Sequence, residues 1–338
     1  YFSKSPDQLS LAEITALSII PNKPNYRVMG KDNRAIKIER NEWLLKFKEA
    51  QLFDTNIIND AIAEPLNAYR HEAPKTAPQL AWRLRRMFPA NNIIRSSIDA
   101  KMQIKAEGIA ANYVHSLQLQ GVFNGAVIVI DNRSQQVLCY IGSTDFEDKK
   151  HHGEVDGVAA KRSPGSTLKP ILYGLAIDNG LITPKTIVED VPLNIAGYAP
   201  ENYDLNFRGN VSIEDALRNS LNIPAVKTLQ LLGVAKMMHS MNEAGFTTLN
   251  RTKYKLGLSM ILGGCEIRLD ELTNFYATLS HGGVFRGLKW TADDTSKVVK
   301  GKRILSTSAS YMITEILKEL SRPDLPNIYL QLGADAVV

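Results

Sequence analysis

Two short clusters in this 338-residue chain hold residue types that can do chemistry together. The first is Ser166-Thr167-Leu168-Lys169, which follows Arg162-Ser163-Pro164-Gly165 and precedes Pro170. A serine hydroxyl is a weak nucleophile until a base takes its proton. Residues three apart are neighbours on a helix, so the spacing predicts Lys169 beside Ser166. A lysine amine is a base only when neutral, and burial or nearby positive charge lowers its pKa toward that state. Pro164-Gly165 allows a tight turn, which puts Ser166 at a helix N-terminus whose unpaired N–H groups suit a developing oxyanion. Such a pair can take an acyl group from a peptide-like carbonyl without a histidine or a metal. The second cluster is Ser220-Leu221-Asn222. In an extended segment residues two apart point the same way. A hydroxyl and a carboxamide then face one site, Ser220 to relay a proton to a leaving group and Asn222 to hold a peptide amide.

Four letters alone are weak. Ser-x-x-Lys arises by chance about once in a chain of this size, and it describes a helix N-cap serine with a solvated lysine equally well. A rival Ser240-Met241-Asn242 lies in a helical run that ends before Gly245 and reads as surface helix. His151 and His152 are adjacent, so their rings point apart, and no third ligand is near in sequence; no metal site is expected there. Gly263-Gly264 lacks the Lys-Ser/Thr that completes a phosphate loop and reads as a place of close backbone packing. Glu154 and Asp156 are expected in a solvated loop. Tyr198, Tyr203 and Phe207 either wall a substrate cleft or pin their own loop. Asp99 reads as structural.

The elements that must position these residues mix helices and strands without regular alternation. Helical spacing runs over residues 9–21, 35–51 and 56–69, a small helical block. Prolines at 74 and 78 mark a break. A strand-like start at 94–98 leads into a long helix. The β-branched runs 125–130 and 136–141 flank a turn at 131–134, which predicts a hairpin. A helix from 170 to 179 is closed by Gly180, and further helices are expected near 213–219, 224–232, 236–244, 268–281 and 308–320. This pattern favours an α+β fold with an antiparallel sheet flanked by helices over a doubly wound one. The segment 332–338 looks like the beginning of a strand.

Composition narrows the classes. With 44% hydrophobic and 22% charged residues the chain can build a sizeable core, so disorder is not expected. The net charge of +5 is dispersed. Without a recognition motif it does not point to nucleic acid, and an anionic lipid surface or acidic polymer is at least as natural a neighbour. Cys139 and Cys265 lie in apolar or glycine-rich contexts and read as two buried free thiols. No run approaches the ~20 apolar residues of a membrane helix.

Ser-x-x-Lys followed by Ser-x-Asn is part of the penicillin-binding and β-lactamase signature. The flanks carry it further: residues 162–173 (R-S-P-G-S-T-L-K-P-I-L-Y), 211–226 (V-S-I-E-D-A-L-R-N-S-L-N-I-P-A-V) and 262–283 (L-G-G-C-E-I-R-L-D-E-L-T-N-F-Y-A-T-L-S-H-G-G) resemble class A penicillin-binding transpeptidase domains. Gly153-Glu154-Val155-Asp156 and the segment 321–327 (S-R-P-D-L-P-N) resemble the penicillin-binding protein 1C branch. Tyr1-Phe2-Ser3-Lys4, Leu9-Ser10-Leu11-Ala12-Glu13 and Pro21-Asn22-Lys23-Pro24-Asn25-Tyr26 resemble the C-terminal end of that family's lysozyme-like glycosyltransferase domain, with Arg40 where the family has an arginine on a late helix.

The resemblance implies a helical glycosyltransferase remnant over 1–73 without its catalytic glutamates, a linker region over 74–122, and a transpeptidase domain over 123–338. It implies Ser166 as nucleophile, Lys169 as base, Ser220 as proton relay and Asn222 as substrate holder. The implied partners are peptidoglycan stem peptides, lipid II, β-lactam antibiotics and, through an N-terminal segment, the bacterial cytoplasmic membrane, with the domains on its outer face. Transpeptidation by this route takes no cofactor; a divalent metal is an option only for the missing glycosyltransferase site. The family's third element, Lys-Thr/Ser-Gly on a strand, does not occur. Lys75-Thr76-Ala77, Lys185-Thr186-Ile187 and Lys227-Thr228-Leu229 all lack the glycine. The expected cause is truncation just before that strand, which leaves this piece impaired or inactive. Two alternatives stay open: a module that binds peptides or β-lactams without turnover, and a β-lactamase-like acyl-hydrolase.

Overall fold

Ser10 and Glu13 open the first helix by reciprocal capping: the Ser10 hydroxyl accepts from the Glu13 N–H at 3.1 Å, and the Glu13 carboxylate accepts from the Ser10 N–H at 3.0 Å. Two N–H groups that a helix start leaves unpaired are thereby satisfied. The computed structural model describes residues 1–22, 24–70, 76–195, 197–249, 256–294 and 301–319. The chain divides into two compact units, Tyr1–Lys75 and Thr76–Val338.

The first unit is helical: α1 (Leu11–Ile19), α2 (Asn33–Glu49) and α3 (Thr55–Ala63). Its apolar stripes meet in two clusters, around Ala16, Ile19, Met29 and Ile36, and around Ala12, Leu44, Ile58 and Ala61. The third helix is shorter than its sequence pattern. Pro65 disfavours helical backbone in the residue before it, and Glu64 accordingly turns to ψ 128°. Arg40 is fully buried, and its guanidinium donates to the carbonyl of Glu64 at 2.8 Å.

In the second unit α4 (Pro78–Met87) and α5 (Ala100–Ser116) pack on an antiparallel hairpin of β1 (Val127–Ile130) and β2 (Val137–Ile141). The stretch 76–122, expected as a linker region, is thus an integral layer of this unit. Buried Gln103 on α5 exchanges two hydrogen bonds with the Tyr140 backbone, at 2.8 and 2.9 Å, and so pairs the β2 edge as a neighbouring strand would. Residues 94–98 make no named strand; Ser96 only bridges to Thr291. Asp99 is the N-cap of α5, accepting from the Met102 N–H at 2.8 Å.

The centre of the unit is α6 (Lys169–Asp178), whose residues from Lys169 to Ala176 are all buried. A helix apolar around its whole circumference belongs in a core. Around it stand the antiparallel pair β3 (Ile187–Asp190) and β4 (Gly209–Ser212), then α7 (Ile213–Arg218), α8 (Asn222–Leu232), α9 (Val234–Glu243) and α10 (Leu269–Ser280). The short pair β5 (Val284–Phe285) and β6 (Lys302–Arg303) leads to α11 (Thr307–Lys318), which packs on α6. All strand pairs among the described residues are antiparallel, an α+β arrangement. The segments 321–327 and 332–338, and residues 74 and 75 of the break, lie outside the described residues.

Candidate active site

Ser166 lies on a 3-10 turn, Gly165–Leu168, that runs directly into α6. Its side chain is exposed and makes no hydrogen bond among the described residues. The Lys169 N–H donates to the Ser166 carbonyl, so the two backbones are one turn apart. Three contacts hold that turn from outside. The Thr167 carbonyl accepts from the Tyr276 hydroxyl at 3.1 Å, and the Ser163 hydroxyl donates to the Gly263 carbonyl at 2.8 Å. Gly263, at φ +99°, comes so near that a Cβ there would lie 2.4 Å from Ser163 Oγ and 3.0 Å from the Gly165 backbone. The expectation of close packing at Gly263-Gly264 therefore finds its reason: the glycine is the floor under the serine turn.

Lys169 is 1% exposed. Its ammonium does not turn to Ser166. It reaches across to the α7–α8 junction and donates to the Ser220 carbonyl at 2.5 Å, the Asn222 Oδ1 at 2.7 Å and the Ser220 hydroxyl at 3.2 Å. Three neutral acceptors satisfy its three protons, which a buried ammonium requires. No carboxylate among the described residues pairs with it, so burial dominates and pulls its pKa down to about 7. At that value the neutral amine is well populated at neutral pH. Deprotonation leaves Nζ two N–H donors and one lone pair, so one of these three hydrogen bonds gives way.

Ser220-Leu221-Asn222 is not the extended segment that the two-residue spacing suggested. Ser220 sits at φ +53°. Its N–H donates to the Leu217 carbonyl at 3.0 Å, and the Leu221 N–H donates to the Ala216 carbonyl at 2.9 Å. This is the left-handed turn that ends many helices, a place that favours glycine. Gly180 makes the same turn after α6, with φ +68°. At the end of α7 a serine occupies the position, and the turn directs both its carbonyl and its hydroxyl to Lys169. Asn222 then begins α8. Its side-chain Nδ2 donates to the Glu201 carbonyl at 2.7 Å, which leaves Oδ1 for Lys169. Its backbone N–H donates to Asn202 Oδ1 at 2.7 Å. Nothing in the local sequence marks Asn202, Tyr276 or the depth of Gly263 packing; each meets the site from a distant segment.

The other candidates fall away from this centre. Ser240 and Asn242 lie on α9, whose Met241 enters the core. His151 pairs with Asp148, Nδ1 to Oδ2 at 2.6 Å, and stacks on Phe123. Among the described residues no three His, Cys, Asp or Glu groups gather as a metal site would need. Glu154 is exposed as expected, but Asp156 is half-buried. It accepts from the Tyr140 hydroxyl at 2.7 Å and from the Val158 N–H at 3.1 Å, which ties its loop to the hairpin. Tyr198 packs against the core, while Tyr203 stands fully exposed. Cys139 and Cys265 are buried and unbridged, their thiols pushed up to about 11 by burial. No described helix is long and apolar enough to cross a membrane.

Residues 125–324, which contain both clusters, match the family model for the penicillin binding protein transpeptidase domain. The chain belongs to that family. It is 30% identical over 326 residues to penicillin-binding protein 1C of Escherichia coli (strain K12), covering 96% of this chain and 41% of that protein. It is 27% identical over 306 residues to penicillin-binding protein 1B of Haemophilus influenzae, covering 84% of this chain and 38% of that protein. The chain thus spans about two fifths of the length of these curated relatives. The crystal structure of penicillin-binding protein 1A from Haemophilus influenzae superposes with a TM-score of 0.69 at 14% identity, over 96% of this chain and 70% of that one. The likeness of fold therefore takes in the helical first unit as well as the transpeptidase unit.

Proposed function

We propose that this penicillin-binding transpeptidase chain is part of a bifunctional peptidoglycan synthase and performs acyl transfer through Ser166. The observation that carries the reading is a buried amine without an ionic partner, one turn from an exposed serine. Ser166 Oγ attacks the penultimate D-alanine carbonyl of a stem peptide while Lys169 takes its proton. The tetrahedral centre collapses, the terminal D-alanine leaves, and the proton passes to its nitrogen from Lys169 by way of Ser220. The acyl-serine then passes to an amine of a neighbouring strand, and Ser166 regains its proton. Asn222 holds the donor peptide amide and Lys169 together. The step as written draws on no cofactor. β-Lactams acylate Ser166 in place of substrate.

The match to penicillin-binding proteins 1C and 1B supports glycan polymerisation from lipid II as the companion activity of the longer protein, and with it anchoring in the bacterial cytoplasmic membrane with these units on the outer face. The three-helix unit then belongs to the end of the glycosyltransferase domain. No Lys-Thr-Gly or Lys-Ser-Gly occurs in the 338 residues. The test is fluorescent penicillin labelling of the full-length protein. Wild type labels at a peptide containing Ser166, and Ser166→Ala does not. Equal labelling of the two would remove Ser166 as nucleophile.

A further inference from the structure

Helix α8 begins without a cap of its own. Leu221 occupies the N-cap position and offers no side-chain acceptor, although the first N–H groups of a helix need one. The acceptor comes from twenty residues upstream. Asn202 is 3% exposed, and its Oδ1 receives the Asn222 N–H at 2.7 Å. The neighbouring Glu201 carbonyl receives the Asn222 Nδ2 at 2.7 Å. The 201–202 segment therefore grips Asn222 by backbone and side chain at once, and this turns the side-chain oxygen to Lys169.

A carboxylate decides which way Asn202 faces. Asp190, at the end of β3, is 0% exposed and pairs with no cation among the described residues. Its oxygens accept from Asn202 Nδ2 at 2.9 and 3.0 Å and from the Arg208 N–H at 3.0 Å. The second proton of Asn202 Nδ2 goes to the Asn206 carbonyl at 2.8 Å. A flipped Asn202 would set its oxygen against both the carboxylate and that carbonyl, so only one orientation is allowed. A buried carboxylate held by hydrogen bonds alone is costly, and the fold keeps this one where it sets the acceptor for Asn222.

We propose that Asp190 and Asn202 are positioning residues for acyl transfer: Asp190 locks the Asn202 carboxamide, Asn202 fixes the start of α8, and Asn222 Oδ1 is thereby aimed at Lys169. The proposal rests on the reading of Ser166 and Lys169 above. Neither residue touches the reacting atoms. Their effect falls on the rate constant of acylation, because a small misplacement of a catalytic group is magnified in the transition state.

The test uses the full-length protein and measures, for fluorescent penicillin, the saturating acylation rate constant and the half-saturating concentration, with melting curves alongside. Asn202→Ala is expected to lower the rate constant about ten- to a hundredfold with little change in the half-saturating concentration. Asn202→Asp, which sets two carboxylates face to face, is expected to be slower still. Adding Asp190→Asn to it removes the repulsion between the two carboxylates and recovers part of the rate, while the oxygen introduced at position 202 still faces the Asn206 carbonyl. A folded Asn202→Ala that acylates at the wild-type rate overturns the proposal, as does a double variant no faster than Asn202→Asp. If Asn202→Ala does not fold, Asp190→Asn decides by the same constants, and an unchanged rate there overturns it. Ser166→Ala runs in parallel. Persistent labelling of that variant would instead refute the nucleophile assignment, whereas its silence beside a normal Asn202→Ala refutes only the positioning pair.

Discussion

Asn222→Asp replaces the carboxamide oxygen 2.7 Å from Lys169 Nζ with a carboxylate oxygen, at nearly unchanged shape. At that distance the Coulomb attraction is about 6 kcal/mol at an effective dielectric of about 20. Relaxation and water reduce it, and an opposite charge this close typically raises an amine pKa by roughly 1–3. Lys169 would move from about 7 to between roughly 8 and 10, toward its ordinary 10.5. The neutral fraction at pH 7 then falls from about one half to between roughly one tenth and one thousandth. Since only the neutral amine can take the Ser166 proton, acylation at pH 7 should slow by a factor of about 5 to 500. The assay is the rate of fluorescent penicillin acylation by the full-length protein, followed from pH 6 to pH 10. Wild type should rise through about pH 7 and level off. The variant should show the same rise displaced upward. The substitution also removes the donor to the Glu201 carbonyl, which lowers the rate equally at every pH. A uniform loss with an unmoved midpoint would therefore refute Lys169 as the titrating base.

Stability should report the same buried amine. The folded value near 7 lies below the ordinary 10.5, so the unfolded chain binds more protons between those pH values, and wild-type stability rises with pH across that window. Lys169→Met removes this dependence; its advantage over wild type should be largest below pH 7, on the order of a few kcal/mol, and vanish toward pH 10.5, as read by chemical denaturation. Ser220→Gly relieves the φ +53° conformation and should raise stability by up to about 1 kcal/mol, while loss of the hydroxyl slows acylation by about a hundredfold. A variant that is both stabler and equally fast would show that the hydroxyl carries no proton. Gly263→Ala places a methyl group 2.4 Å from Ser163 Oγ at a φ of +99°. It should cost about 1–3 kcal/mol and slow penicillin labelling by displacing the Ser166 turn; unchanged labelling would show that the turn holds its place without that floor.

Much of the local structure is legible from residue types a few positions apart. The hairpin turn at 131–134 and Gly180 as a helix stop each rest on backbone groups within about five residues. The misreadings arise where a distant partner intervenes. Asp156 looked like a solvated loop residue until the Tyr140 hydroxyl reached it. The resemblance implied a linker over 74–122, whereas the apolar residues of α4 and α5 pack on β1, β2 and more distant residues such as Val158 and Trp290.

The candidate site divides in the same way. Sequence alone determined which groups are available and that Ser166 and Lys169 lie one helical turn apart, because chain geometry sets that distance. It also determined the family, through the flanks of both clusters. Only the tertiary structure decided where the lysine points and what charge it carries. Its acceptors lie 51 and 53 residues away, and the Gly263 floor lies 100 residues from Ser163. The pKa of an amine depends on the water it loses and the dipoles it gains, and both are properties of the packed surroundings rather than of the four letters that contain it.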